Sequence, residues 1–368
     1  VKKALLAFLV AAFCSNSFAL DTEIKGFLAL DLLILKKIEG RQQELVTGIG
    51  VLDLKAYATQ DDFSGKIKLD LDNSKINEKY NLFEEASAAY RISDFWSVSA
   101  GKGVVPFHRL HWGVIENTYI DSGSVIGSKN AWRDVDKKLF LGTRLGSFRD
   151  GYLHHFTFWG ESKLAKRDRA GNLDLTSTGQ LQYENSKTFS TKDERGLAYK
   201  FELFPDNVNS LSAGLIYYWN DYIPRESWAF DTGWRYRDGQ LEVWLEYLYG
   251  FKSTHSGDSY ATAGLEEHFL QLGAEQYISE LINILANVEV LFVEDERHTE
   301  RGTTLTANDG RIYEYDQVKV EAGVKFKLSK AAFITVGALL ERQIEDINGV
   351  ENSDAYAYEG ATKLSFWF

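Results

Sequence analysis

The residues that could carry chemistry are few and scattered. His154 and His155 are adjacent, His108 is followed by His111, and Ser253 lies close to His255. A metal site needs imidazoles and carboxylates converging on one face. His154 and His155 lie in an alternating apolar stretch that reads as a strand, so their rings point to opposite faces and cannot share a metal. His108 and His111 have a more usable spacing, but no cysteine or obvious third ligand accompanies them. Ser253 and His255 are one of many such neighbours, and no spacing singles out a nucleophile with its base. Glu294, Asp295 and Glu296, with Glu300 and Asp309, could hold divalent cations, although a solvated face explains them as well. The expectation is no catalytic centre, no metal and no cofactor, hence not an enzyme.

What must position these residues follows from the rest of the chain. It has 368 residues, with 41 Lys+Arg against 53 Asp+Glu and a net charge of -12. Phosphate binding needs clustered basic residues, so nucleic acid is excluded as a partner. Nine Trp, 19 Tyr and 23 Phe accompany a mean hydropathy of -0.28. That many aromatics argue against disorder. Past residue 19 no run approaches the roughly 18 to 20 apolar residues of a membrane-spanning helix. The start reads as an export address: Lys2 and Lys3, an apolar stretch over 4–13, then Ser17-Phe18-Ala19 with small residues at the cleavage positions. Residues 1–19 are therefore expected to be a signal peptide. Phe13 before Cys14 speaks against lipidation. The remaining 20–368 then contain no cysteine, and extensive pairing and packing must hold them.

From residue 20 onward the pattern has period two. In 317–328, Val318, Val320, Ala322, Val324, Phe326 and Leu328 fall on one face, against Gln317, Lys319, Glu321, Gly323, Lys325 and Lys327 on the other. Such alternation gives a strand one apolar and one wet face. Short polar breaks alternate with longer ones at 108–136, 162–194, 221–225, 253–263, 299–315 and 346–353. Short turns on one side and long loops on the other predict a transmembrane antiparallel β-barrel of the outer-membrane type. Sixteen strands fit the length, with fourteen or eighteen as neighbouring counts. A sheet in lipid must close, because lipid cannot satisfy an open edge. The aromatics then belong in interfacial girdles, with Trp96, Tyr152, Trp219, Trp228, Tyr236, Tyr249, Phe326, Phe333, Tyr358 and Phe366 as candidates.

The last predicted strand places Tyr356, Tyr358, Gly360, Thr362, Leu364, Phe366 and Phe368 on one face. It resembles the terminal strand of bacterial outer-membrane proteins. That resemblance implies that Phe368, Phe366 and Leu364 form the insertion signal read by the barrel-insertion machinery. Outer-membrane lipid and lipopolysaccharide would then surround the chain.

About eight strands fill their own interior, whereas sixteen leave an aqueous channel. The predicted inward positions are polar or charged, as at Asp31, Glu85, Arg91, Arg144, Lys200, Glu202, Asp231, Glu289, Lys319 and Lys325. Passive diffusion of ions and small hydrophilic solutes is the expected activity. Residues 108–136 are the expected constriction, carrying His108, Arg109, His111, Glu116 and Asp121. Arg91, Lys102 and Arg144 are expected on the facing wall, so that opposed charges filter ions. The acidic balance points to a mild cation preference. The alternative is a plugged structural, adhesive or enzymatic barrel acting through its long loops, with Lys163, Lys166, Arg167 and Arg169 as a contact surface.

The stretch Ser97-Val98-Ser99-Ala100-Gly101-Lys102-Gly103-Val104-Val105-Pro106-Phe107 resembles the "GKFKxPFG" segment that precedes the constriction loop in the phosphate-selective porin O and P family. It departs from that family where His108 replaces glycine, and the sequence lacks that family's dense inward ladder of arginine and lysine. The overall pattern resembles the bacterial general porins, which implies a homotrimer.

Overall fold

The structure, a computed structural model, describes residues 21–71, 83–107, 138–160, 194–220, 225–255, 262–295, 299–300, 303–304, 313–347 and 350–368. In chain order the strands are β1 (Asp21–Ile38), β2 (Glu44–Gln60), β3 (Phe63–Asp70), β4 (Phe83–Arg91), β5 (Trp96–Gly103), β6 (Lys138–Ser147), β7 (Tyr152–Gly160), β8 (Glu194–Leu203) and β9 (Asn209–Asn220). There follow β10 (Arg225–Arg237), β11 (Leu241–His255), β12 (Thr262–Tyr277), β13 (Ile282–Asp295), β14 (Thr299–Glu300), β15 (Thr303–Thr304), β16 (Tyr313–Lys327), β17 (Ala332–Ile347) and β18 (Val350–Trp367). β14 and β15 pair only with each other, and the other sixteen close into one barrel. Every neighbour in the ring is antiparallel, including the seam where β1 meets β18. All sixteen expected strands are present; β1, β2, β13 and β16 to β18 run longer than their alternation indicates, whereas β4 to β7 end sooner.

Alternation sets which side faces out. On β16, Val318, Val320 and Phe326 are exposed, whereas Gln317, Lys319 and Glu321 are buried. Leu141, Phe158, Leu197, Leu215, Leu272 and Leu340 continue the exposed apolar surface around the ring. Seven turns, at 61–62, 92–95, 148–151, 204–208, 238–240, 278–281 and 328–331, lie at one end with both chain-terminal strand ends. Side chains close them: the Asp206 carboxylate accepts from the backbone N–H of Val208 and Asn209, and that of Asp238 from Gln240 and Leu241. Connections at the opposite end include 71–82, 104–137, 161–193 and 296–312. Two connections there that the sequence suggested were longer shrink to 221–224 and 348–349, because the flanking strands extend into them.

At the seam, Gly26 and Phe368 exchange backbone hydrogen bonds, and the Phe368 ring occupies the space that a Cβ on Gly26 would need. A side chain at position 26 would displace that ring. Outer-face aromatics gather near both rims. Phe95 and Tyr152 meet at 6.5 Å near the turns, and Trp228 and Tyr249 meet at 5.1 Å toward the loop end. Phe333 is an exception to the expected girdle. Its partners Lys327 and Ser365 are inner-face residues, and the Lys325 ammonium lies 5.2 Å from its ring.

Candidate functional site

The inner wall divides into two arcs. On β7 to β18 most inward side chains are buried, with exceptions toward the turns such as His155, Arg235 and Lys325, whose side chains are 21%, 28% and 24% exposed. Toward the loop end they are apolar, with Trp159, Ile216, Leu248, Leu265, Phe269 and Leu291 among the most deeply buried. Elsewhere on this arc the buried groups are polar and joined. The Lys319 ammonium lies 3.1 Å from Glu289 and 3.3 Å from Glu321, all with side chains 0% exposed. Gln271 and Asn287 both donate to Glu289, and Gln317 donates to Gln343. Toward the turns, Asn283 and Lys325 share Glu275. Enclosed charges need such partners, since removing them from water costs several kcal/mol per ion.

On β1 to β6 the inner charges remain in contact with water. Lys25, Lys55 and Lys68 stand directly opposite one another on three adjacent strands. Lys66 pairs with Glu85, and Lys68 lies 3.1 Å from Asp53, with Lys66 still 35% exposed. Lys55 makes no ion pair among the described residues. Three like charges in one cross-strand row are destabilising; Glu23 at 3.0 Å from Lys25 and Asp53 at 3.1 Å from Lys68 offset two of them, and hydration offsets Lys55.

The expected site residues separate. Arg144 is on the inner face, opposite Ser97, which is opposite Arg91. Arg91, however, lies at the turn end, with Nε donating to Asp62 at 2.8 Å and a guanidinium nitrogen 3.9 Å from Asp94. Its position beside the 92–95 turn places it far from the end at which 104–137 leaves the wall. Lys102 pairs with Ala86 and Leu139, and Leu139 is exposed on the outer face. The register thus directs Lys102 away from the lumen. His108, Arg109, His111, Glu116 and Asp121 lie outside the described residues. Leu364 and Phe366 are on the outer face of β18, opposite Leu30 and Leu28. His154 and His155 do point to opposite faces: His154 hydrogen-bonds the Tyr199 hydroxyl at 2.8 Å, while His155 faces Glu202 inside at 3.2 Å.

Sequence reasoning missed Val105 and Phe107. Both are buried in one cluster with Trp159, Ala198, Ile216, Tyr218 and Ala229 on β7 to β10. The Phe107 carbonyl lies where a Cβ on Gly214 of β9 would be. Between β5 and β9 stand β6, β7 and β8, so the chain leaving β5 passes over their inner faces. The available signal was Gly214, a lone glycine inside a strand, which marks close approach of another backbone.

No protein-family model matches the sequence, and no curated protein sequence matches it. Solved structures do. The in-vitro folded trimer form of OmpT, an outer membrane protein of Vibrio cholerae, is similar over 95% of this chain and 100% of its own, at 12% identity and a TM-score of 0.59. The fold is that of the porins. The outer membrane channel DcaP of Acinetobacter baumannii superposes over 96% of this chain and 99% of its own, at 12% identity and a TM-score of 0.57. Salmonella typhi OmpF, in a complex with daunomycin, covers 94% of this chain and 97% of its own, at 11% identity and a TM-score of 0.51. At such identities the likeness establishes the porin fold alone.

Proposed function

We propose that the protein is an outer-membrane channel for passive diffusion of ions and small hydrophilic solutes. The observation that carries this reading is the inner face of β1 to β6, where charges of both signs stay part-exposed inside a closed sixteen-strand wall. Residues 108–136 narrow the lumen, continuing the inward course that Val105 and Phe107 begin. His108, Arg109, His111, Glu116 and Asp121 would then lie in the aperture. Residues 1–19 direct export, the Leu364, Phe366 and Phe368 face serves insertion, and three copies assemble. Likeness to phosphate-selective porins rests on residues 97–107 alone. Reconstitution in planar lipid bilayers tests the channel: stepwise conductance is expected, and a folded protein that leaves the bilayer silent would sink it.

The second reading is a plugged barrel that works through its long connections. Favouring it is the burial of many inner residues of β7 to β18, including Phe269, Leu291 and Lys319. In that case the same bilayer stays silent while the folded barrel is intact.

A further inference from the structure

We infer that the water path through this barrel is off-centre, running along β1 to β6, and that residues 105–107 hold it there by hooking into a hollow of β8 to β11. This rests on the channel reading and adds where the path lies and which residues fix it. The hollow is built from small inward residues. Ala198, Ile216, Ala229 and Gly250 form one cross-strand row on β8, β9, β10 and β11. Gly214 stands one inward position from Ile216, with Lys200 and Asp231 as its neighbours. Three of the four residues in that row are alanine or glycine, so the wall is thin there and leaves depth for a visitor. Val105 and Phe107 fill that depth, at 1% and 0% exposure.

Gly214 is the point of contact. A side chain there would meet the Phe107 carbonyl and lie 3.3 Å from its ring. A similar accommodation occurs next to it, where the Trp159 ring covers Gly196 on β8. The two aromatics, with Tyr218, form one apolar mass standing off β7 to β9. Water is excluded behind it and remains in front of it, where Ser87, Lys66 and Glu85 are part-exposed. The burial of the β7 to β10 part of the wall thus has a local cause in a short peptide and its socket.

Cysteine accessibility tests this in the folded protein, because its only cysteine, Cys14, lies within the segment 1–19 proposed to direct export, and Cys14→Ser removes it wherever that segment is retained. Ser87→Cys reports the proposed path, and Ser227→Cys, at an inward position on β10 that is 0% exposed, reports the closed side. A small charged methanethiosulfonate is expected to label Ser87→Cys at least tenfold faster than Ser227→Cys. Adding Gly214→Val, or Phe107→Ala where the valine prevents folding, should speed labelling of Ser227→Cys and leave Ser87→Cys nearly unchanged. Equal labelling of the two sites in the parent would overturn the off-centre path. Continued protection of Ser227→Cys in both hook variants would overturn the role of the hook. In bilayers, labelling Ser87→Cys should lower conductance and labelling Ser227→Cys should not. A silent parent overturns the channel reading itself, a result distinct from conducting barrels that contradict the labelling pattern.

Discussion

The β1 to β6 arc and the β7 to β18 arc show two ways for one sheet to carry charge. On the second arc Lys319 is enclosed and has two carboxylates within reach. On the first, Lys25, Lys55 and Lys68 stand in a row of like charge. Two unit charges 4 Å apart interact by about 1 kcal/mol in water and about 4 kcal/mol at the effective dielectric of a protein surface. Water therefore decides which arrangement is tolerable. Strand length follows the same division in part. β3, β4 and β5 have 8, 9 and 8 residues, whereas β11, β12 and β16 have 15, 16 and 15. The longer strands add the rows toward the loop end in which Leu265, Phe269 and Leu291 close the interior.

The largest expected effect breaks the enclosed arrangement. Lys319→Met removes the buried cation 3.1 Å from Glu289 and 3.3 Å from Glu321. Losing one partner of a buried pair costs about 3 to 5 kcal/mol. Lys55→Met, in the open arc, should cost no more than about 1 kcal/mol, as for exposed charges. Urea unfolding of both variants in detergent, followed by tryptophan fluorescence, compares them. If Lys319→Met were as mild as Lys55→Met, the distinction between the arcs would fail.

The arcs also explain what the sequence could and could not tell. Period two was readable wherever a strand has one wet face, as in β16, so strand number and the two kinds of connection were legible. β3 carries a fainter pattern because its outer face, Phe63, Gly65, Ile67 and Leu69, is short and stands beside inward Lys66 and Lys68. The closed interior was not legible. In β12 and β13, Phe269 with Leu270 and Leu291 with Phe292 are apolar on both faces, which erases the alternation that tells inside from outside. Lys102 was misplaced on residue type, because a lysine suggests a wet face, whereas alternation from Trp96 through Val98 and Ala100 turns it outward. The distance of Arg91 from the far rim is a matter of height in the barrel, which residue type does not encode.

A smaller effect separates chain charge from path charge. The net charge of -12 suggested cation preference. Many of the carboxylates, among them Asp231, Glu246, Glu267, Glu289, Glu321, Glu341 and Glu359, are buried on the closed arc. The path proposed along β1 to β6 instead meets Lys25, Lys66 and Lys68, each paired with a carboxylate, and Lys55, which makes no ion pair among the described residues and leaves the strip a cationic excess. Reversal potentials in a KCl gradient should therefore show a modest anion preference, which Lys55→Glu shifts toward cations several-fold. Cation preference in the parent would place the narrowest point against carboxylates outside this strip.

The smallest effect concerns the turns that close the second arc. Backbone N–H groups of Leu241 and Gln240, with the Tyr236 hydroxyl, hold the Asp238 carboxyl below its usual range. The Asn209 side chain, then the N–H groups of Asn209 and Val208, do the same for Asp206. A carboxylate whose pKa is depressed by folding stabilises the fold above its unfolded value, about 3.9 for aspartate. That contribution disappears as the pH falls through the lower folded value. Between pH 6 and pH 2.5 the urea midpoint should fall, and Asp238→Asn, which stays neutral at both pH values, should fall by slightly less. Both turns join strands of the closed arc or its border, so the acid loss should loosen that side first. Acid slows labelling of every thiol by depleting the thiolate, so the readout is a ratio: labelling of Ser227→Cys relative to Ser87→Cys should rise at low pH before the barrel unfolds. An unchanged ratio would mean that the arcs are not separately stabilised.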